Sequence, residues 1–414
     1  MNLEVANEQS SIDYLLSPQA VRDRCNGLFN LAEKDQLNHF RYHPEKLPDA
    51  AYYVEQVIRA NYPTLEIPYH SRWRHFDVGN IDRVKHLQQA WSGVDKLEQG
   101  RRLYELGITS VLLDAGAGKD WRYDEATTGQ TFTRSEGLAI ASFDLYCQGG
   151  FSSQKSHPYQ ADATGLINFG PGALSEAFQV SEENPLLGVS GRSQIMMQLG
   201  QVVLENPTIF TDKQPRLGHL LDHFLLQANK QHLAAEQVLK TILQIFGTIW
   251  PGRIELSATN LGDCWRHPGL QTTDTTSELI PFHKLSQWLT YSLLEPLQMM
   301  GITITNLDAL TGLAEYRNGG LFLDLGVISL RDEVETKQAH PVDSLLIVEW
   351  RALTIALLDR LSGLIRQNLG LSDSEFPLAK MLQGGTWTAG RLIAKDKRPD
   401  GSPPLTIISD GTVF

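Results

Sequence analysis

The 414 residues suffice for about two or three average domains, and 42% hydrophobic against 20% charged residues supplies a substantial core without the signature of disorder. A net charge of -12 lacks the basic excess of a nucleic-acid binder, yet leaves room for a small anionic substrate held by a few arginines. Cys25, Cys147 and Cys264 stand far apart with no CxxC pair, which excludes a disulfide framework or a zinc ribbon.

The N-terminal MNLEVANEQSS has no basic start followed by an apolar core, so no secretory signal is expected. Residues 12–60 read as helix, with a break at Gly27. A second helix lies between Pro48 and Pro63, with Ala51, Val54, Val57 and Ile58 as its inner stripe. HSRWRHF, residues 70–76, has the composition of an anion site and equally that of a solvated loop packed through its aromatics. Residues 81–108 form amphipathic helix interrupted at Gly93 and Gly100.

Next comes ITSVLLDAGAGKDWRYDE. Residues 108–113 suit a strand, and an acid and Gly-x-Gly follow, as at the start of a nucleotide or S-adenosylmethionine loop. The match is incomplete. Leu113 stands where a phosphate loop needs its first glycine, Asp120 where it needs Ser or Thr, and Trp121 where a dinucleotide loop needs its third glycine. The same stretch also presents Trp121, Arg122, Tyr123, Asp124 and Glu125, stacking faces and both charge signs, ahead of a helix that begins near Ser135. That composition suits a small polar ligand, and equally a surface loop with a buried tryptophan.

Gly, Ser and Pro concentrate over residues 150–170 and mark the expected lobe boundary. The division gives an N-terminal helical lobe, 1–160, with the aromatic and charged loop 114–136. A C-terminal helical lobe, 161–414, follows. Further helices are expected over SGRSQIMMQLGQVVL and twice within residues 216–250. Stretches rich in Val, Ile and Thr are few, so the fold class is mainly α with at most a small β element.

In PFHKLSQWLTYSLLEPL, residues 281–297, Leu285, Trp288, Leu289 and Leu293 form an inner face that Lys284 adjoins; such a lysine either snorkels to water or serves a site. In LTGLAEYRNGGLFLDLGVI, residues 310–328, the spacing of Leu310, Leu313 and Ala314 predicts a short helix. Glu315 then lies near its C-terminal end, and Asn318-Gly319-Gly320 breaks it. A carboxylate there needs a partner, and Arg317 is the nearby cation; an ordinary buried ion pair has the same pattern. Residues 343–370 read as a leucine-rich core helix with Asp343 as N-cap and Gly370 as C-cap. Its charges make it no membrane span, so a soluble, cytoplasmic protein is expected. Glu349 and Arg351, in its apolar first half, must pair with neighbours or with a ligand. GGTWTAGR, residues 384–391, sets Trp387 and Arg391 four apart on a helix, before an extended tail.

Together WRYDE, RSEGLAIASF, PFHKLSQWLTYSLLEPL, LTGLAEYRNGGLFLDLGVI, GGTWTAGR and the terminal SDGTVF resemble the uracil-catabolism family of uncharacterised proteins, over nearly the whole chain. Its members are encoded with the ring-opening uracil-degradation pathway of fungi and bacteria, so the resemblance implies a pathway. PFHKLSQ, LTGLAEYR and VEWR also resemble, in order, three segments of the queuosine salvage proteins. This second resemblance implies a mainly helical, two-lobed fold similar to helix-hairpin-helix DNA glycosylases, and hydrolysis of an N-glycosidic bond. By it, Lys284 matches that family's lysine, Glu315 the aspartate assigned the catalytic role, and Glu349 and Arg351 its Glu-x-Arg pair. Glu for Asp, and Asn318-Gly319-Gly320 for Val-Pro-Gln, are departures; a second catalytic aspartate has no counterpart in GGTWTAGR.

The two resemblances together imply cleavage of the C1'–N bond of a ribosylurea or its 5'-phosphate, releasing urea. Glu315 would stabilise the oxocarbenium-like transition state and activate water. Lys284, or an acid of the Trp121–Glu125 loop, would supply the leaving group's proton. Arg317, Arg351 or Arg122 would hold a phosphate, with Trp387 and Arg391 completing the binding set. No cofactor or metal is expected. The expected partner is this small molecule, with association to other uracil-degradation enzymes compatible and no nucleic acid or membrane. A transferase using the DAGAG loop, an amidohydrolase acting on the ureido group and a non-catalytic partner of the pathway enzymes are the alternatives.

Overall fold

A computed structural model describes residues 3–211, 213–250 and 253–408. The expected extension of the terminal SDGTVF, and the Pro251-Gly252 expected to end the helices of residues 216–250, lie outside them. The described residues are mainly helical, and their strands make only two-stranded pairs, six in all. Two compact units share the chain. The first holds residues 3–70, 253–287 and 306–408; the second holds 71–211, 213–250 and 288–305. These boundaries differ from a division at residue 160. The Gly- and Pro-rich stretch there supplies turns inside the second unit and not a linker.

The first unit is organised by its longest helix, Leu345–Leu369, buried on most faces. Ser344, not Asp343, caps it, with its hydroxyl accepting from the Ile347 amide, and Gly370 ends it in the left-handed region at φ 67°. The helices Pro18–Glu33, Leu47–Asn61 and Tyr316–Asp324 pack against it, and Ala51, Val54, Val57 and Ile58 are buried as their spacing predicts. The antiparallel pair Cys264–Arg266 with Leu279–Pro281 sets Asp263 beside the His283-Lys284 turn, because Cys264 registers with Pro281. In the second unit the hairpin Arg122–Glu125 with Gln130–Thr133 leads into the helix Arg134–Cys147, which packs on Lys96–Leu112.

Three glycines expected to break helices lie inside them. Gly27 is within Pro18–Glu33, Gly100 within Lys96–Leu112 and Gly319 within Tyr316–Asp324. Close packing explains them: a Cβ on Gly319 would stand 2.7 Å from the Trp350 ring of the neighbouring helix. Gly390 meets the same constraint, its Cβ falling 2.5 Å from the Arg317 carbonyl oxygen. Gly390→Ala is therefore expected to lower stability by about 1–3 kcal/mol. A urea denaturation midpoint that drops with an unchanged slope is the expected readout; an unchanged midpoint would show that the two helices separate freely.

Residues 108–113 are not a strand. Residues through Leu112 complete the helix Lys96–Leu112, so the strand that a nucleotide loop requires is missing. The reason is tertiary: Ile108, Val111 and Leu112 are all buried, and a short apolar run does not separate a core helix from a strand.

Candidate functional site

Leu310, Leu313 and Ala314 are buried but belong to no helix, and Glu315 is not at a helix C-terminus. It is the N-cap of Tyr316–Asp324. The acid folds over its own helix start: Oε2 accepts the Arg317 amide at 2.9 Å and Oε1 the Asn318 amide at 2.7 Å. Both bonds and the helix dipole favour the carboxylate. Burial wins nonetheless and raises the Glu315 pKa, opposed by the Arg317 amide and guanidinium, the Asn318 amide and the Lys284 ammonium. Glu315 is thus a half-buried carboxylate near two cations, held in one orientation by backbone.

Three sequence segments converge here. Lys284 opens the helix Lys284–Met299 and carries charge that acts on Glu315. Three residues on, the Gln287 amide donates to Thr311 Oγ1 at 2.6 Å and accepts from the Thr311 backbone at 2.8 Å, tying PFHKLSQ to LTGLAEYR. His283 precedes Lys284 with φ 48°, an uncommon conformation for a side-chain-bearing residue. Its ring nitrogen Nε2 lies 2.8 Å from the Leu15 carbonyl oxygen.

Asp263 anchors that turn, and the sequence reading passes over it. Its carboxylate accepts the Lys284 amide at 2.9 Å, the Trp265 indole N–H at 2.6 Å and a two-pronged fork from Arg351 at 2.7 Å on each oxygen. Burial works against the charge, but Arg351 first, then Trp265 and the Lys284 amide, hold the Asp263 carboxyl well below the usual range. Arg351 also lies over the Phe282 ring, 4.2 Å from its centroid. Its fork serves the protein's own aspartate and not a phosphate. Glu349, fully buried, accepts the Asn38 and His39 amides at 2.9 Å each and faces His267 Nε2 at 3.3 Å. The Glu-x-Arg pair thus ties the core helix to other segments of the chain. An arginine on a core helix signals an unseen carboxylate, but nothing in LGDCWR marks Asp263 as that partner.

Trp387 and Arg391 join the same unit. A single turn of π-helix, Leu382–Thr386, delivers the helix Trp387–Lys397, and such turns recur at functional sites. The Arg391 guanidinium lies 4.8 Å, and that of Arg317 5.1 Å, from the Trp387 ring centroid; Arg317 also lies 5.5 Å from that of Tyr316. Tyr316, Arg317, Gly320, Asp324, Gly390 and Pro404 help line a narrow cleft with about 10 Å³ of free space, room for roughly one water molecule.

The residues of the WRYDE segment fall in the second unit, and most carry structural duties there. Trp121 is fully buried, stacked on Phe178 and donating to its carbonyl at 2.9 Å. Tyr123 donates to Asp144 at 2.8 Å, and Glu125 is forked by Arg83 at 2.7 and 2.6 Å. Arg122 and Asp124 are exposed, Asp124 accepting from Thr131 at 2.6 Å. In the DAGAG loop the buried Arg192 takes the carbonyls of Leu113, Ala115 and Gly116, at 3.1, 2.6 and 3.1 Å. Carbonyls gathered on a guanidinium are the reverse of an amide cradle for phosphate. Among the described residues no three His, Cys, Asp or Glu side chains cluster as a metal site requires, and no helix is long and apolar enough to cross a membrane.

Comparison with known proteins accords with the motif reading. The chain is similar to "Protein urg3" of Schizosaccharomyces pombe, 42% identical over 408 residues, which spans 97% of this chain and 98% of that protein. It is also similar to "Uracil catabolism protein 4" of Lachancea kluyveri, 37% identical over 437 residues, spanning 97% and 99%. Residues 14–414 match the family described as "Protein of unknown function (DUF1688)". Matched over nearly its whole length, the chain belongs to this DUF1688 family and is similar to a protein named for uracil catabolism.

Proposed function

We propose that this protein acts in uracil catabolism as a hydrolase that cleaves the C1'–N bond of a ribosylurea. The observation that carries the reading is the Glu315 carboxylate, fixed by two backbone amides beside two cations in a crowded site. In the reaction the C1'–N bond breaks and its electron pair leaves with the urea nitrogen, which takes up a proton. Water adds its hydroxyl to C1' and yields the other proton, so the products are ribose and urea. Positive charge develops at C1', where a rigid carboxylate stabilises it without reorganising and accepts the proton of the attacking water. Lys284, cationic and adjacent in charge to Glu315, provides the hydrogen bond that a poor leaving group needs. The name of the Lachancea relative supports the pathway.

Glu315 acts as the anion, so its raised pKa sets the acid limb of the activity. Activity is expected to fall as pH drops through a value above the ordinary 4.5. A kcat/KM profile for urea release from ribosylurea tests this; an acid limb at or below that value would contradict Glu315 as the ionised group.

A further inference from the structure

We propose that Gln287 is a positioning residue for the reaction: its carboxamide clamps the turn that carries Lys284 to the chain that carries Glu315, and so keeps the lysine's charge acting on the acid. This rests on the hydrolase reading for the roles of Glu315 and Lys284, and on hydrogen bonds for the clamp. The chain ahead of Glu315 needs such a tie, because residues 311–315 belong to no helix or strand and no ladder of backbone bonds fixes them. Gln287 is fully buried. Its Nε2 donates to Thr311 Oγ1 at 2.6 Å and to the Phe282 carbonyl at 3.2 Å, while Oε1 accepts the Thr311 amide at 2.8 Å. A backbone amide can only donate, so the side-chain oxygen must face it and the carboxamide has one orientation. Thr311, also fully buried, donates its hydroxyl to the Gly312 carbonyl at 3.1 Å. The clamp thus reaches from Phe282, just ahead of the His283-Lys284 turn, to Gly312, on the approach to Glu315.

Gln287 and Lys284 occupy the same side of their helix's first turn, three residues apart. Asp263 fixes the backbone of that turn by accepting the Lys284 amide at 2.9 Å, and Gln287 fixes the turn relative to the acid. Arg317 and Lys284 are the cations whose charge acts on Glu315. On the helices packed against Tyr316–Asp324 the charged groups are engaged elsewhere. Glu349 accepts the Asn38 and His39 amides, Arg351 forks Asp263, and Arg391 lies over Trp387. Arg317 belongs to the helix that Glu315 caps and moves with it, whereas Lys284 stands on a separate segment that tertiary contacts alone hold in place. Loosening the clamp therefore withdraws Lys284 and leaves Arg317. The Lys284 charge lowers the Glu315 pKa, so its withdrawal raises that pKa further above the ordinary carboxylate value.

Two measurements on the full chain test the clamp. One is the kinetics of urea release from ribosylurea. The other is the titration midpoint of the Glu315 carboxyl, followed by 13C NMR and identified by its loss in Glu315→Gln. Gln287→Met, close in size but without the amide, is expected to lower kcat about 10- to 100-fold, the scale of a misplaced group, with KM changed by no more than about twofold. Its midpoint should move up, and Lys284→Met should move the midpoint up at least as far. Gln287→Met combined with Lys284→Met should show no further rise over Lys284→Met, because both act through one charge. Thr311→Val keeps the backbone bond to Gln287 and loses the hydroxyl, so it should fall part of the way, with Thr311→Ser closer to the wild type. A Gln287→Met midpoint that stays or moves down, while kcat and melting temperature fall together, reduces Gln287 to a structural tie and overturns the proposal. Additive shifts in the double variant overturn it as well. Should Gln287→Met not fold, an unmoved midpoint in Thr311→Val overturns it in the same way. No urea release from the wild-type chain would remove the hydrolase reading, and the midpoints would still decide whether Gln287 holds Lys284 to Glu315.

Discussion

Glu315→Gln is expected to reduce kcat/KM for urea release by about 10³-fold, within the range of removing a general base or a preorganised charge at a transition state. Glutamine has nearly the same shape and keeps one oxygen for the amides of Arg317 and Asn318, so the helix start survives. What disappears is the negative charge that the proposed mechanism sets opposite C1'. The stability effect has a definite sign. The folded-state pKa of Glu315 is raised, so this group contributes stability that is present below its unfolded pKa and lost as pH rises through the folded value. At neutral pH the ionised acid therefore opposes folding; its replacement relieves that cost while weakening one cap, so stability is expected to change by no more than about 1 kcal/mol. Activity lost with the melting curve retained marks a functional carboxylate. Activity retained would sink the mechanism while leaving the pathway untouched.

Asp263→Ala is expected to destabilise the protein by about 3–5 kcal/mol, because it strands the Arg351 guanidinium, 1% exposed, without its counter-ion. It also removes the acceptor of the Lys284 amide, so the first turn of that helix should loosen and activity fall with stability. Asp263→Ala with Arg351→Met, which removes both charges, is expected to recover much of the loss. The pH dependence follows from the depressed Asp263 pKa. The pair's contribution is full above the ordinary aspartate value of about 3.9 and is lost as pH falls from there toward the folded value. Urea denaturation of both variants at neutral and acid pH measures this. A single mutant as stable as the wild type would mean that the fork is ornamental.

The sequence motifs point to residues that the fold gathers in one unit, and what the motifs miss has identifiable causes. Lys284, Glu315, Arg317, Trp387 and Arg391 were singled out from motifs, and the fold places all five in one unit. Apolar Leu310, Leu313 and Ala314 mimic helical spacing while lying in irregular chain, and the helix begins after them, with Glu315 as its cap. Asn318-Gly319-Gly320 looked like a breaker for the same reason. Glycine in a helix records a neighbour's approach as readily as a turn, and only the Trp350 contact decides between them. Asp263 gives no signal because it lies just before a three-residue strand, where periodicity says nothing, and its partner Arg351 is 88 positions away. Trp121, Tyr123 and Glu125 show the converse. Aromatic and charged residues that look like a binding loop are satisfied by Phe178, Asp144 and Arg83 within the second unit.

Product analysis is the most direct test of the C1'–N assignment. The purified full-length chain would be incubated with ribosylurea and with its 5'-phosphate, and urea, free sugar and ammonia quantified together. Urea and sugar should appear in equal amounts, without ammonia, and should nearly vanish with Glu315→Gln. Ammonia with carbon dioxide in place of urea would instead reveal attack on the ureido carbonyl, and neither substrate turning over would remove the hydrolase assignment altogether.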